Sequence, residues 1–147
     1  VSDQGVWLVE DSLLASPEGH GGVSEHRACL TWMLQDWAWE VVEEDGATLS
    51  EGEQAGGVEL RFSSPEGPLW LLLRAGGRPG GHLPAKLQIV RAGALIYGTG
   101  PVRPTWGWRS SRYGEKRPAL AVKLYIYGSL PLKFSSEWRF GANSRSA

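Results

Sequence analysis

The sequence predicts an all-β protein, an antiparallel β-sandwich of roughly eight to ten strands with no substantial helix. Three observations predict it. Apolar residues recur at every second position through most of the chain, the period of a strand rather than of a helix. Candidate strands follow one another at spacings of about ten residues, divided by turn residues. Twenty glycines and nine prolines in 147 residues supply those turns and disfavour long helices.

Val6-Trp7-Leu8-Val9 opens the chain as a short apolar strand, and Asp11-Ser12 is expected to begin a turn into the glycine-rich loop around Ser16–Gly22. From Glu25 to Leu34 the residues alternate, with His26, Ala28, Leu30, Trp32 and Leu34 on one face. Trp37, Trp39 and Val41 form a second short alternation, followed by a Gly- and Glu-rich loop over 43–57. Val58–Phe62 and Leu69–Leu73 flank Ser64-Pro65-Glu66-Gly67, which predicts a hairpin. Gly76–Gly81 reads as a loop, Leu87–Ile89 and Ala94–Tyr97 as strands around a turn at Ala92-Gly93. Gly98–Pro118 is irregular and rich in Trp, Arg and Gly. The chain closes with a strand over Ala119–Tyr127, a turn at Gly128-Ser129 and a strand over Leu130–Phe140. No internal repeat or linker divides it, so residues 1–147 are expected to form a single domain, the last few residues disordered.

Composition excludes several classes. Hydrophobic residues make up 41% and charged residues 21%, which rules out a disordered charged tail, and no apolar run approaches the roughly 18 residues of a membrane helix. The single cysteine, Cys29, permits no internal disulfide and is expected to be a buried, inert thiol in an apolar strand. The only methionine is Met33, so a processed protein, an excised domain or a fragment is expected. Net charge is −1, but residues 1–66 carry 14 acids against Arg27 and Arg61, and residues 67–147 carry 13 bases against Glu115 and Glu137. Two readings of that split stand: sheets or edges that attract one another, or a basic face for a polyanion. Nucleic acid suits it poorly, because the bases are dispersed and no helix-turn-helix, RRM or zinc-finger pattern appears.

The chemistry-bearing residues are few. His20, His26, Glu10 and Asp11 match no standard zinc spacing, and His82 lies in a separate glycine-rich loop. No glycine loop has nucleotide-binding spacing, so no cofactor is assigned. Eight tryptophans are an unusual number. Trp37 with Trp39, and Trp106 with Trp108, alternate in the way that lets indoles stack on sugar rings, or they plug the ends of a sandwich core. The densest stretch is Gly107–Leu120, where Trp108, Arg109, Arg112, Tyr113 and Lys116 put bases and aromatics in one loop. Tyr113 beside Arg112 and Lys116 would serve as a proton-transfer group only with a second such group nearby. The candidate carbohydrate contacts are therefore Trp37, Trp39, Trp106, Trp108, Arg109, Arg112, Tyr113 and Lys116.

Gly107-Trp108 through Leu120, followed by a strand and Gly128-Ser129-Leu130-Pro131, resembles the closing segment of bacterial heparinase II/III-like polysaccharide lyases, with their order of Trp, Ser, Arg-Tyr-Gly-Glu-Lys and Pro-Ala. Trp7–Leu13 and Glu25–Glu40 resemble earlier strands of the same region, with Gln35 standing where the family has proline. The resemblance spans nearly the whole chain in order. It implies the C-terminal β-sandwich of a longer protein whose N-terminal α/α toroid is the partner of this part. It also implies a parent that cleaves a uronic-acid polysaccharide by β-elimination; the compartment stays open, since a lone cysteine fits cytosol or periplasm, with a periplasmic or secreted location slightly favoured over the cytoplasm. The family's proton-transfer residues fall upstream, so none is carried onto this chain, which is expected to be inactive alone. Asp11 and His26 could match members of a family metal site, but without the upstream histidine no metal is assigned. The alternative is a free-standing carbohydrate-binding or structural β-sandwich module.

Overall fold

The computed structural model describes residues 5–16, 25–42, 53–55, 57–77 and 84–141, with 53–55 and 84 known through their backbone alone. The loops expected at Ser16–Gly22, 43–57 and Gly76–Gly81, with His20, His82 and the tail at 142–147, fall largely or wholly outside the described residues. The described chain is all-β and runs through eleven strands: β1 Val6–Leu13, β2 Glu25–Gln35, β3 Ala38–Val42, β4 Glu53–Ala55, β5 Gly57–Ser64, β6 Gly67–Gly76, β7 Pro84–Arg91, β8 Ala94–Tyr97, β9 Trp108–Arg109, β10 Arg117–Ser129 and β11 Leu132–Phe140. They form two antiparallel sheets. One has five strands in the order β1-β11-β6-β5-β3. The other has six, ordered β2-β10-β7-β4, with β8 beside β7 and β9 beside the start of β10.

Alternation explains the core. Val58, Leu60 and Phe62 of β5 face Leu73, Leu71 and Leu69 of β6 in register, and all point into the sandwich. Opposite them lie Leu87 and Ile89 of β7 with Leu120, Val122, Leu124 and Ile126 of β10, each at most 2% exposed. Burying one such side chain contributes about 1.5–3 kcal/mol. Trp32 of β2 crosses between the sheets. Its ring meets Trp138 of β11 edge-on at 5.4 Å, and its Nε1–H donates to Ser136 Oγ at 2.9 Å, which satisfies a fully buried hydroxyl. At the other side, Trp39 of β3 meets Tyr97 of β8 edge-on at 5.8 Å.

These two contacts set β2 over β11 and β3 over β8, so β1 overhangs. No described strand of the second sheet covers it, and Val6, Trp7, Leu8 and Leu13 remain exposed along it.

Four expectations need correction. The loop expected over 43–57 gives way at Glu53–Ala55 to strand β4, which pairs with Pro84–Lys86 of β7. The turn expected at Asp11-Ser12 is instead strand, because β1 pairs with β11 as far as Leu13↔Leu132 and the ladder outweighs the weak strand preference of Asp and Ser. The closing turn falls at Leu130-Pro131, with a cis peptide there, since Gly128 and Ser129 stay paired with His26 and Glu25. Cys29 is exposed rather than buried. Ala28, Leu30 and Trp32 claim the inner face of β2, so the period of two sends Cys29 and Thr31 outward.

Candidate functional site

The irregular stretch between β8 and β10 lies back over the outer face of the six-stranded sheet, and its seating begins at the β7–β8 hairpin. That hairpin turns on Ala92 and Gly93, both in the left-handed region at φ 50° and 78°. Their N–H groups, left free by the turn, donate to Gly107 O and Trp106 O, each at 2.8 Å. Ala119 N–H donates to the same Gly107 carbonyl at 2.9 Å. Gly107 itself has φ 75°, and a Cβ there would stand 2.7 Å from Val90 O and 2.8 Å from Ala92 N, so only glycine allows the approach. Gln88 Nε2 adds a bond to Thr99 O at 2.7 Å. The loop is thus held by backbone bonds at Trp106 and Gly107 and by a side-chain bond at Thr99.

Seating Gly107 places its flanking indoles. Trp106 covers the Nζ of Lys123, 4.2 Å from the ring centroid. Trp108 donates from Nε1 to Pro104 O at 2.9 Å, and Lys116 Nζ lies 3.9 Å from its ring. Beyond Trp108 the chain makes a tight turn, with Glu115 N–H donating to Arg112 O at 3.1 Å and Ser110 Oγ–H to the same carbonyl at 2.6 Å. Arg112 and Tyr113 stand at its tip in full solvent. The loop's one acid, Glu115, accepts from Arg117 Nε at 2.6 Å and from Ser111 Oγ at 3.2 Å. Arg109, Arg112 and Lys116 therefore face outward with no carboxylate within ion-pair reach among the described residues.

The eight sequence candidates do not converge. Trp106, Trp108, Arg109, Arg112, Tyr113 and Lys116 share the seated loop. Trp39 belongs to the core edge against Tyr97. Trp37 lies at one end of the sandwich, where with Gln35, Ser64, Glu66, Leu69 and Phe140 it lines an open groove of about 450 Å³. Tyr113 has no hydrogen-bonding neighbour among the described residues, so no second proton-transfer group accompanies it. His26 and Asp11 sit on strands of different sheets, and no three His, Cys, Asp or Glu side chains gather among the described residues.

Sequence reasoning missed the floor beneath the loop. Outward positions of β7, β10 and β2 pair in rows: Lys86, Tyr125 and Cys29; then Gln88, Lys123 and Thr31; then Val90, Ala121 and Met33. Lys123 is only 8% exposed, and its Nζ donates to Thr31 Oγ1 at 2.9 Å with no carboxylate partner among the described residues. Arg27 stacks over Tyr125 with its Cζ 4.6 Å from the ring centroid, and Arg103 reaches over Trp106 at 5.9 Å. Burial, then the neighbouring Cys29, hold the Tyr125 phenol above its ordinary value, while Arg27 and Arg103 pull it back. The available signal was Lys123, one charge inside the apolar run Ala119–Ile126. A lysine there marks the outer face of β10, which the alternation alone left unassigned. Compared with protein-family models, curated proteins and solved structures, the chain gives no significant match.

Proposed function

We propose that this chain is the non-catalytic C-terminal β-sandwich of a heparinase II/III-like lyase acting on a uronic-acid-containing polysaccharide by β-elimination. In that role it supports an N-terminal α/α toroid of the same parent and offers a basic, aromatic surface to the anionic chain. One observation carries the reading: the Trp106–Arg117 loop is pinned by backbone bonds to the sheet while Arg109, Arg112 and Lys116 face solvent with their only local acid engaged elsewhere. A fixed array of cations beside half-buried indoles suits a polymer that carries a carboxylate on each ring and an apolar face between. The exposed edge at Val6, Trp7 and Leu8 supports a packed neighbour.

In β-elimination a base takes the proton α to the carboxyl group and an acid protonates the leaving oxygen. The described residues do bring Glu25 to the Tyr127 hydroxyl and Cys29 to Tyr125, but in this reading neither pair is catalytic and the chemistry belongs to the toroid. The contribution of the sandwich is to hold substrate carboxylates through Arg109, Arg112 and Lys116. A free-standing carbohydrate-binding module is the second reading, favoured by the groove beside Trp37 and Phe140.

Intrinsic tryptophan fluorescence, titrated with acidic and neutral oligosaccharides, tests the binding claim. Salt-sensitive binding of acidic chains is expected, and binding of neutral chains alone supports the second reading. Ultraviolet absorbance of an unsaturated uronate product tests the rest. Turnover by the isolated chain would overturn the assignment of chemistry to the toroid.

A further inference from the structure

The outer face of the six-stranded sheet, below the seated loop, holds a cation cluster that the loop-tip reading does not use. Arg27, Lys86 and Lys123 all point outward from adjacent strands, and Arg103 descends from the loop beside Trp106. None has a carboxylate within ion-pair reach among the described side chains. Two carboxylates stand near in register. Glu25 is engaged with the Tyr127 hydroxyl, which its hydrogen bond holds above the ordinary phenol range, and Glu53 of β4, described by its backbone alone, pairs with Lys86 of β7.

Four cations on one small face repel one another, and a nearly buried ammonium adds a desolvation cost. Aromatic faces offset part of both: Trp106 over Lys123 and Tyr125 under Arg27. They do not neutralise the charge. The buried Gln88 Oε1, next to Lys123 in register, also has no hydrogen-bond donor among the described residues. Among the described side chains, the face has an excess of positive charge and an acceptor left over, beside two aromatic surfaces.

We infer that Arg27, Lys86 and Arg103, grouped around Tyr125, form a second anion site, which takes a carboxylate or sulfate group of a saccharide whose ring lies against Tyr125 and Trp106. Lys123 lies beneath it, adding field and holding Trp106 in place. Arg27 and Arg103 are exposed and reach the anion directly, with guanidinium forks suited to two oxygens each. The inference deepens the polysaccharide reading and rests on it for the identity of the ligand, though the anion site can be tested without any polysaccharide.

Two measurements test it. In the first, sodium sulfate is titrated while the arginine Nε–Hε resonances are followed by NMR. Saturable shifts at Arg27 and Arg103, beyond those at Arg112, are expected. Equal, unsaturated drift at all three would overturn the site. In the second, the Arg27→Ala/Arg103→Ala variant is compared with wild type for binding of heparin-derived and oligogalacturonate chains. Each lost guanidinium should weaken binding by about tenfold or more. A preference for the heparin chain assigns the site to sulfate, and equal weakening on both chains assigns it to either oxyanion. If wild type binds acidic chains and the double variant binds them as well, the site is wrong and the polysaccharide reading stands. If sulfate saturates the site and no acidic chain binds, the site stands and the polysaccharide reading falls.

Discussion

Gly107→Ala is the sharpest test of whether the loop is truly seated on the sheet. A Cβ at this position would meet three backbone atoms, Val90 O at 2.7 Å, Ala92 N at 2.8 Å and Arg91 Cα at 2.9 Å. Backbone in a paired strand cannot swing aside as a side-chain end can, so the loop must lift. Lifting weakens the two bonds to Gly107 O, from Ala92 and Ala119, at about 1 kcal/mol each. The left-handed φ of 75° adds about 1 kcal/mol for any residue with a Cβ. The sum is about 3 kcal/mol. Gly114→Ala is the control: its φ of 77° carries the same conformational cost, but nothing lies within 4 Å of the added Cβ. Urea unfolding of both variants should give about 1 kcal/mol for Gly114→Ala and about 2 kcal/mol more for Gly107→Ala. Losses within about 0.5 kcal/mol of each other would refute the seating.

Leu71→Ala, at a fully buried position of β6, should cost about 2–5 kcal/mol in urea unfolding, whereas Leu8→Ala on the overhanging β1 should change stability by less than about 0.5 kcal/mol. A large loss at Leu8 would mean that β1 is covered after all. Cys29 should react with Ellman's reagent in the native protein, without denaturant, since its thiol is on the outer face of β2. Reaction only after unfolding would restore the buried thiol. Asp36 is held below its ordinary value of 3.8 by hydrogen bonds from Arg91, offset in part by burial. A depressed carboxylate stabilises the fold above its unfolded value and loses that contribution as pH falls through the folded one. Asp36→Asn should therefore lower Tm slightly at neutral pH, with the two melting curves converging below pH 3.8. A gap that persists in strong acid would point to a cause other than this ion pair.

What the sequence disclosed, and what it hid, divides by the range of the forces involved. Val58–Phe62 and Glu25–Leu34 reveal their strands because one face is apolar and the alternation is local. The hairpins at Ser64–Gly67 and Ala92-Gly93 are legible because their turn chemistry lies in adjacent residues. Cys29 misled because it stands among Ala28 and Leu30, and an apolar neighbourhood in sequence is not one in space. The candidate loop was found through its composition, yet Trp37 and Trp39 were grouped with it only by residue type. Lys123, Arg27, Tyr125 and Arg103 come together from β10, β2 and the loop, and such convergence depends on strand order and on Gly107, which no local pattern encodes.

Of the fourteen acids in residues 1–66, seven have described side chains, and the pairing of those seven bears on the charge split. If the acidic and basic halves served to hold the sheets together, ion pairs would run from strands of one sheet to strands of the other. Five pairs seen among the described residues do not. Arg61–Glu40, Lys133–Glu10 and Arg139–Glu137 lie within the five-stranded sheet, Arg117–Glu115 within the seated loop and its strand, and Arg91–Asp36 between β7 and the turn after β2. The surface between the sheets is leucine, isoleucine, valine and aromatic rings, where an unpaired charge costs far more than an exposed pair returns. All five pairs are at least partly solvated, so each contributes little to stability. Six bases, Lys86, Arg103, Arg109, Arg112, Lys116 and Lys123, reach no carboxylate among the described side chains, with Glu53, opposite Lys86 in register, described by its backbone alone. They lie along one side of the molecule, from the tip of the loop to the sheet beneath it. Cations gathered there without a carboxylate among the described side chains raise the self-energy of the fold, a cost that the proposed polyanion would offset.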